Sequence, residues 1–342
     1  HLSRRLQRPP GFVIRCALDI GSGQHKLLVA KVHVATGHLV QTLHKEQQQV
    51  LLNHALVQDA SGALSEEVLA RSRSVLAAFK RKAADLGATE HAGVCTAVFR
   101  RACNGQAYLD AVNRELRLNL RIVSQSLEGT LGYLSAASGA REAEASASLV
   151  AWDSGCGSFQ LSARVDGRLR VWEGPIGDSD VTGLLLRQVQ RKEFVGSGSG
   201  RTSPNPVSPS EAEALENAIR SKVPQPPDWL LERCALPSAK LVGFGERTCI
   251  FAVAAQLCGS SEMDDTAISA ALAQCVGVTD DELRARWVLH DEEDMAVPKL
   301  MLLRTVLRII GARRLSFLQT MGTCEGVLLC EELWTSAMRP GS

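Results

Sequence analysis

Two short stretches of this chain, Ala17-Leu-Asp-Ile-Gly-Ser-Gly23 and Trp152-Asp-Ser-Gly-Cys-Gly-Ser158, share the pattern Asp-x-Gly-x-Gly. Each pattern follows an apolar run typical of a β-strand, and each leads into residues that predict a hairpin. After the second copy, Asp166 and Gly167 form a strong turn signal between two alternating runs. A repeat of this kind predicts that the chain consists of two halves with related architecture.

The residue types in this repeat suit the binding of a phosphate group. Glycines lack Cβ atoms, so backbone N–H groups can converge on an anion without a steric penalty. A carboxylate at the strand end would repel phosphate unless it held a cation, and Asp19 and Asp153 therefore predict a Mg²⁺ site. For a single copy, the alternative is a tight β-turn in which Asp caps its own backbone. The second copy in a matching context favours phosphate binding.

The segments around the two loops alternate between strand and helix patterns. Ser65 to Leu86 has an apolar stripe at helical spacing, with Ser65 as the N-cap and Gly87 at the end. The alternation predicts an α/β fold, with an N-terminal domain at 10–137 and a C-terminal domain at 138–333. A Gly-, Ser- and Pro-rich segment at 196–210 is expected to form a flexible loop in the second domain.

Length and composition restrict the class of protein. The chain has 342 residues and a formal net charge of +1, and aromatic residues make up 4% of it. Nucleic-acid binders usually have a basic excess and aromatic side chains for stacking, so this class is not favoured. No apolar run reaches the roughly 18 residues of a membrane-spanning helix. The composition is that of an ordinary globular protein, which excludes disordered, collagen-like and polybasic classes and leaves the function open.

The cysteines and the N-terminus bear on the cellular compartment. Ten cysteines without any C-x-x-C pair are interpreted as reduced thiols, which predicts a cytoplasmic protein. The Arg-rich first residues are interpreted as a disordered end, with the remnant of a targeting peptide as the alternative.

Six motifs, in order along the chain, resemble those of the exopolyphosphatase and guanosine pentaphosphate phosphohydrolase (Ppx-GppA) family. The first loop is similar to the family's D-I-G-S-N motif, and the second to its D-I-G-G-G-S-x-E motif. Four further segments resemble family motifs: Thr96 to Gly105, Ile122 to Gly129, Val242 to Gly245 and Gly322 to Gly326. The resemblance extends from about Phe12 to Leu329 and identifies the chain as a divergent, short, two-domain member.

This resemblance implies both the fold class and the chemistry. Such proteins have two ribonuclease-H-like α/β domains of the actin, heat-shock chaperone and sugar kinase superfamily, and they remove terminal phosphate with the help of Mg²⁺. By position, Glu128 matches the general base, while Asp19 and Asp153 match the acids that hold the metal. The positions that match phosphate-binding residues are Ser22, Gly23, Arg100, Gly155, Cys156, Gly157, Ser158, Gly243 and Gly245.

Several positions depart from the family pattern. The replacements are Gly23 for Asn, Leu127 for the first of two glutamates, Cys156 for Gly, Gln160 for an acid near the metal, Glu246 for Gly and Cys324 for Arg. Residues that match also have plainer interpretations. Glu128 could complement a helix macrodipole, Arg100 could pair with a surface acid, and Cys156 could be a small packing residue.

Two functions of different classes follow from these observations. The first is an exopolyphosphatase-like phosphohydrolase that releases terminal phosphate from inorganic polyphosphate, with activity that the departures could impair. The second is a catalytically weak or inactive regulatory protein that binds polyphosphate, a nucleotide or only a protein partner. A guanosine pentaphosphate phosphohydrolase is a third interpretation, which the loops do not separate from the first. The expected partners are inorganic polyphosphate or a polyphosphorylated nucleotide, with no nucleic acid and no membrane, and a homodimer is left open.

Overall fold

Two mixed β-sheets with helices packed on them make up the computed structural model. It describes residues 11–335 except for 35, 54–55, 57–60, 139–147 and 194–201. The Arg-rich start and residues 196–201 of the predicted flexible loop therefore lie outside the described residues. No helix within the described ranges is long and apolar enough to cross a membrane.

The N-terminal sheet has five strands in the order β3-β2-β1-β4-β5. Its strands are β1 (Phe12–Ile20), β2 (Gln24–His33), β3 (Leu39–Gln49), β4 (Glu90–Cys95) and β5 (Leu120–Ile122). The first three are antiparallel neighbours, whereas β4 runs parallel to β1 and β5 parallel to β4. The second half of β1 is buried on both faces, as expected for a central strand covered on each side.

The C-terminal sheet repeats this arrangement. Its strands are β6 (Leu149–Ser154), β7 (Phe159–Val165), β8 (Arg168–Gly174), β9 (Lys240–Gly245), β10 (Glu262–Met263) and β11 (Leu315–Gln319). Read from β8, the order is β8-β7-β6-β9-β11, with β10 added at the far edge. Asp166 and Gly167 both have positive φ in the β7–β8 turn, as a two-residue hairpin requires. The predicted repeat and the expected α/β fold class are confirmed.

Helices cover both sheets. In the N-terminal half they are α1 (Glu66–Asp85), α2 (Ala97–Arg101), α3 (Gly105–Leu116) and α4 (Gln125–Ser138). In the C-terminal half they are α5 (Asp178–Leu184), α6 (Pro209–Lys222), α7 (Asp228–Ala235), α8 (Ile250–Cys258), α9 (Asp265–Cys275), α10 (Asp280–Arg286), α11 (Ala296–Ile310), α12 (Cys324–Leu329) and α13 (Glu332–Thr335). A π-helical turn at Leu185–Val189 extends α5, and a 3-10 turn at Glu293–Met295 precedes α11.

Helix α1 illustrates how local sequence determines these elements. The Ser65 side chain accepts a hydrogen bond from the Val68 N–H, and Glu66 and Glu67 follow in the first turn, where they complement the positive end of the helix. Its buried residues recur on one face, and Gly87 has φ +81° just after the end. The predicted helix at 65–86, with its cap and its stop, is confirmed.

The polypeptide passes between the two sheets twice. Helix α4 places Leu131 in a core cluster with the N-terminal sheet and Tyr133 in a cluster with the C-terminal sheet. Near the other end of the chain, Met321 to Trp334 packs on the N-terminal sheet against Leu28, Ala30 and Val94. The predicted domain boundary at 137/138 falls at the end of α4 and stays a prediction.

Candidate active site in the cleft between the sheets

The two Asp-x-Gly-x-Gly loops have the same local geometry. Each Asp lies at the end of a first strand, and the turn that follows is closed by a hydrogen bond of 2.9 Å, from the Gly21 N–H to the Gln24 carbonyl and from the Gly155 N–H to the Ser158 carbonyl. The two loops line a single cleft. The sequence repeat therefore corresponds to a structural repeat at the site.

The cleft brings together most of the residues predicted from the sequence. Its lining includes Asp19, Ser22, Gly23, Glu128, Asp153, Gly155, Cys156, Gly157 and Ser158. Arg100 is not part of the lining but donates hydrogen bonds to two residues of it, Glu128 and Ser158. Gly243 and Gly245 are not part of the lining, and the Phe251 ring packs directly against the Gly243 backbone. Glu246, one residue further on, does line the cleft.

Glu128 is held at the cleft by an arginine. It lies in the first turn of α4 and is 7% exposed. Arg100 Nη1 donates to Glu128 Oε2 at 2.7 Å and to the Val123 carbonyl, and Arg100 Nη2 donates to Ser158 Oγ at 3.4 Å. Burial raises the pKa of the Glu128 carboxyl to about 8, although the charge of Arg100 acts in the opposite direction. Arg100 thus connects Glu128 to the second loop rather than pairing with a surface acid.

Lys26 forms an ion pair with the aspartate of the first loop. Its Nζ lies 3.3 Å from Asp19 Oδ2, and the Thr323 N–H also points to this oxygen at 3.5 Å. Burial alone would lower the pKa of Lys26, but the negative charges of Asp19 and Asp153 raise it above its ordinary value. Burial raises the pKa of Asp153 to about 7, while the charge of Lys26 lowers it. One ammonium group therefore acts on both aspartates.

The lining of the cleft also includes a fully buried lysine. Lys299 is 1% exposed, and its Nζ donates to Glu292 Oε2 and to the Thr248 carbonyl, each at 2.7 Å. Asp178 Oδ2 lies 3.6 Å from the same nitrogen. The sequence analysis did not find this cluster, because its carboxylates come from other segments.

The side chain of Cys156 occupies the space beside Gly23. A Cβ atom on residue 23 would lie 2.8 Å from Cys156 Sγ, which is closer than atoms in proteins pack. The two loops therefore meet at this point through a thiol. Burial raises the pKa of the Cys156 thiol well above its usual range, which favours the protonated thiol over the reactive thiolate. The interpretation of Cys156 as a packing residue agrees with this environment.

Among the charged side chains that line the cleft, carboxyl groups outnumber ammonium groups. Its carboxyl groups are those of Asp19, Glu128, Asp153, Asp178, Glu246 and Glu292, and its ammonium groups are those of Lys26 and Lys299. Since both lysines already contact carboxylates, the cleft presents little free positive charge to a polyanion.

The model of the Ppx/GppA phosphatase family matches residues 29–173, a range that includes the second loop, Arg100 and Glu128. This part of the chain is therefore similar in sequence to the Ppx/GppA phosphatase family. The first loop and Lys26 lie just before the matched range.

Solved structures of Ppx/GppA proteins have the same fold. A Ppx/GppA family member from Aquifex aeolicus is similar at a TM-score of 0.71 and 20% identity, covering 94% of this chain and 98% of its own. An exopolyphosphatase from Cytophaga hutchinsonii is similar at a TM-score of 0.69 and 16% identity, and the match covers 96% of this chain and 100% of that one. An exopolyphosphatase-like protein is similar at a TM-score of 0.73 and 15% identity, and the match covers 94% of this chain and 98% of that one. At these identities the similarity establishes the fold alone.

One of the two aspartates that were expected to hold Mg²⁺ already has a cationic partner. Mg²⁺ is octahedral and is usually held by one or two carboxylates together with waters and substrate phosphates, but Asp19 is already paired with the ammonium group of Lys26. Gln160 is buried, and its amide donates to Ser158 Oγ at 3.2 Å. Within the described ranges, no group of three or more His, Cys, Asp or Glu side chains is arranged to hold a metal ion. The Mg²⁺ site at Asp19 and Asp153 stays a prediction.

Proposed function

We propose that the cleft binds the terminal phosphate of inorganic polyphosphate and hydrolyses the phosphoanhydride bond, at a rate that the departures from the family pattern reduce. The observation that supports this most strongly is the position of Glu128. Its carboxyl group is buried, lines the cleft between the two loops, and is connected through Arg100 to Ser158 of the second loop. A general base of this kind is most effective when its pKa lies near the operating pH.

The proposed reaction is an attack of water on the terminal phosphorus atom. Because Arg100 donates to Oε2 of Glu128, Oε1 is the oxygen that accepts the proton of the water. The new bond joins the water oxygen to phosphorus, and the bond from phosphorus to the bridging oxygen breaks, so that inorganic phosphate and a shortened chain are released. The glycines of the two loops allow backbone N–H groups to approach the phosphate oxygens. Such positioning is the main contribution of a protein to phosphoryl transfer.

A regulatory protein that binds phosphate without turnover is the second candidate. The contact of Cys156 with the Gly23 position favours it, because the thiol occupies space between the two loops. The amide of Gln160, at a position where the family has an acid, also favours it. Guanosine pentaphosphate is kept as an alternative ligand for either candidate, since no contact in the cleft distinguishes it from polyphosphate.

Phosphate release from polyphosphate, guanosine pentaphosphate and ATP tests this proposal. Wild type, Glu128→Gln and Glu213→Gln are compared, each with Mg²⁺ and with EDTA. Glu213 is an exposed glutamate on α6 and serves as the matched control. We expect release by wild type and by Glu213→Gln, and a loss of about 100-fold or more in Glu128→Gln, as for removal of a general base. Release by wild type no faster than by Glu128→Gln would leave the regulatory candidate.

A further inference from the structure

The positions opposite the two loop aspartates decide how the cleft is charged. In the β1–β2 hairpin, Asp19 is the direct cross-strand partner of Lys26. In the β6–β7 hairpin, Asp153 is the direct cross-strand partner of Gln160. The two hairpins have the same turn, so these positions are structurally equivalent. One carries an ammonium group and the other a neutral amide, and neither adds a carboxylate.

The ion pair of Lys26 and Asp19 is tightly enclosed. The side chain of Lys26 is 20% exposed and that of Asp19 is 8% exposed. A Cβ atom on Gly322 would lie 2.5 Å from Lys26 Nζ and 2.9 Å from Asp19 Oδ2. The backbone at Gly322 therefore packs against the pair and restricts the movement of the lysine head group. Two charges at such a distance, shielded from water, interact much more strongly than on the surface.

A divalent ion at the same aspartates would have to lie close to this ammonium group. Like charges at such separations repel each other much more strongly where water is scarce than they do in bulk water. The metal would also lack a further anionic ligand from the equivalent position of the second hairpin, because Gln160 directs its amide to Ser158.

We propose that the ammonium group of Lys26 takes the place of a divalent cation between Asp19 and Asp153, so that this cleft receives a phosphate anion without a bound metal ion. The identity of the anion as a phosphate rests on the proposed function, whereas the replacement of the metal ion by Lys26 does not. Lys26 neutralises one aspartate directly and acts on the second through space. The positive charge beside Asp19 thus comes from a side chain of the protein, whereas a metal ion could be removed.

Binding of Mn²⁺, measured by calorimetry and by the loss of the free-ion electron paramagnetic resonance signal, tests the replacement. Wild type is compared with Lys26→Met, which keeps the length of the side chain and removes the charge. Lys31→Met, on the same strand but over the ring of Phe12, is the matched control. We expect Mn²⁺ to bind Lys26→Met at least about tenfold more tightly than wild type or Lys31→Met. Equal affinity in all three proteins would overturn the proposal.

If Lys26→Met does not fold, the unfolding temperature of wild type with and without metal tests the replacement by itself. Metal binding to the native state raises the unfolding temperature as the metal concentration rises above the Kd. We expect 5 mM Mg²⁺ or Mn²⁺ to leave the unfolding temperature of wild type unchanged relative to EDTA, and a clear rise, reversed by EDTA, would contradict the replacement. Neither measurement depends on turnover. A protein that releases no phosphate but behaves as expected towards Mn²⁺ would refute the proposed function and leave this inference intact.

Discussion

At the scale of single residues, two departures from the family pattern prove to be one contact. From the sequence, Gly23 and Cys156 count as separate losses in two different loops. In the structure, the thiol of Cys156 fits the space that the absent side chain of Gly23 leaves. A side chain at position 23 would compete with the Cys156 thiol for the same space, so the two residues form a matched pair.

Restoring the family's asparagine at position 23 should therefore destabilise the protein. We expect Gly23→Asn to lower the free energy of unfolding by about 1–3 kcal/mol through overpacking. The double variant with Cys156→Gly should be less destabilised than the sum of the two single variants, by about 1 kcal/mol or more.

Chemical denaturation of the four proteins measures this coupling. Gly155→Ala is the control in the same loop, because the nearest atom to its new Cβ, the Ser158 carbonyl oxygen, lies 3.9 Å away. We expect a change within about 0.5 kcal/mol for it. Additive effects of the Gly23 and Cys156 substitutions would show that the two side chains do not compete for space.

The buried carboxyl of Glu128 should make stability depend on pH. Its pKa is about 8 in the folded protein, above the ordinary value for Glu, so the protonated form is favoured by folding. The stabilisation is complete below the ordinary pKa and is lost as pH rises through about 8. Glu128→Gln remains neutral and lacks this loss.

Unfolding midpoints of wild type and Glu128→Gln between about pH 5 and pH 9 give the comparison. The advantage of wild type over the variant should shrink as pH rises, since Asp153 and the histidines are common to both proteins. In the phosphate-release assay, kcat/KM should rise with pH through about 8, because the carboxylate is the active form of the base. Parallel stability curves would contradict the pKa shift.

The residues of the site were predictable to different degrees. Glu128 and Asp153 follow from motifs that are local in sequence, and both line the cleft. Lys26 was missed although a signal exists, since a turn at Gly21 to Gly23 fixes the register that places it opposite Asp19. Lys299 had no such signal, because its carboxylate partner and its carbonyl partner come from separate segments that only tertiary packing brings together.

At the scale of elements, helix α4 determines where the base lies. It contacts the C-terminal sheet through small residues, and Ser162 Oγ donates to the Gly129 carbonyl at 2.8 Å. A Cβ atom on Gly129 would lie 2.5 Å from Val171 Cγ1 and 2.9 Å from Ser162 Oγ. At Gly129, next to Glu128, the helix thus lies so close to β7 and β8 that no space remains for a Cβ atom.

Gly129→Ala should destabilise the protein, although alanine is the better helix former. In an open helix this substitution stabilises by about 1 kcal/mol, whereas here the new methyl group displaces α4 from the sheet and should cost about 1–3 kcal/mol. Gly183→Ala on α5 is the control, because its Cβ meets only the end of the Arg187 side chain, which can move. Unfolding temperatures of the two variants measure the difference. A higher unfolding temperature for Gly129→Ala would contradict the close approach.

Local patterns predicted most elements and failed where spacing is irregular. The apolar stripe of α1 and the Asp166-Gly167 turn were sufficient to predict a helix and a hairpin at the correct places. The π-helical turn at Leu185–Val189 and the 3-10 turn at Glu293–Met295 were not predicted, because neither has a periodic sequence. The 3-10 turn directly follows Glu292. The failure to predict this turn and the failure to find Glu292 as a partner of Lys299 therefore have the same cause.

At the scale of the whole molecule, the N-terminal sheet is completed by residues from the far end of the chain. Trp334 is 4% exposed, and its Nε1 donates to the Val327 carbonyl at 2.8 Å. The guanidinium carbon of Arg15 lies 4.6 Å from the centre of the Trp334 ring. Arg15 also pairs with Glu90 and Glu331. This group of contacts joins β1, β4 and the C-terminal segment.

Trp334→Ala should therefore lower the stability of the N-terminal half, which lies far from it in sequence. Loss of a buried tryptophan costs about 3–5 kcal/mol, and it leaves Arg15 without the aromatic ring. Val288→Ala, at a side chain 67% exposed, is the control and should change little. Hydrogen exchange should speed up in β1 and β4 of Trp334→Ala more than in β6 and β9. Equal acceleration in both sheets would contradict this assignment.

The same return of the chain has a consequence for synthesis on the ribosome. Strands β1 to β5 emerge first, but the face that includes Leu28, Ala30 and Val94 is covered by residues 321–334, which emerge only after the entire second sheet. During that interval, the nascent N-terminal half has an apolar surface with no native partner. Such surfaces favour aggregation and are what chaperones recognise. The nascent chain should therefore be a chaperone client until Trp334 has left the exit tunnel.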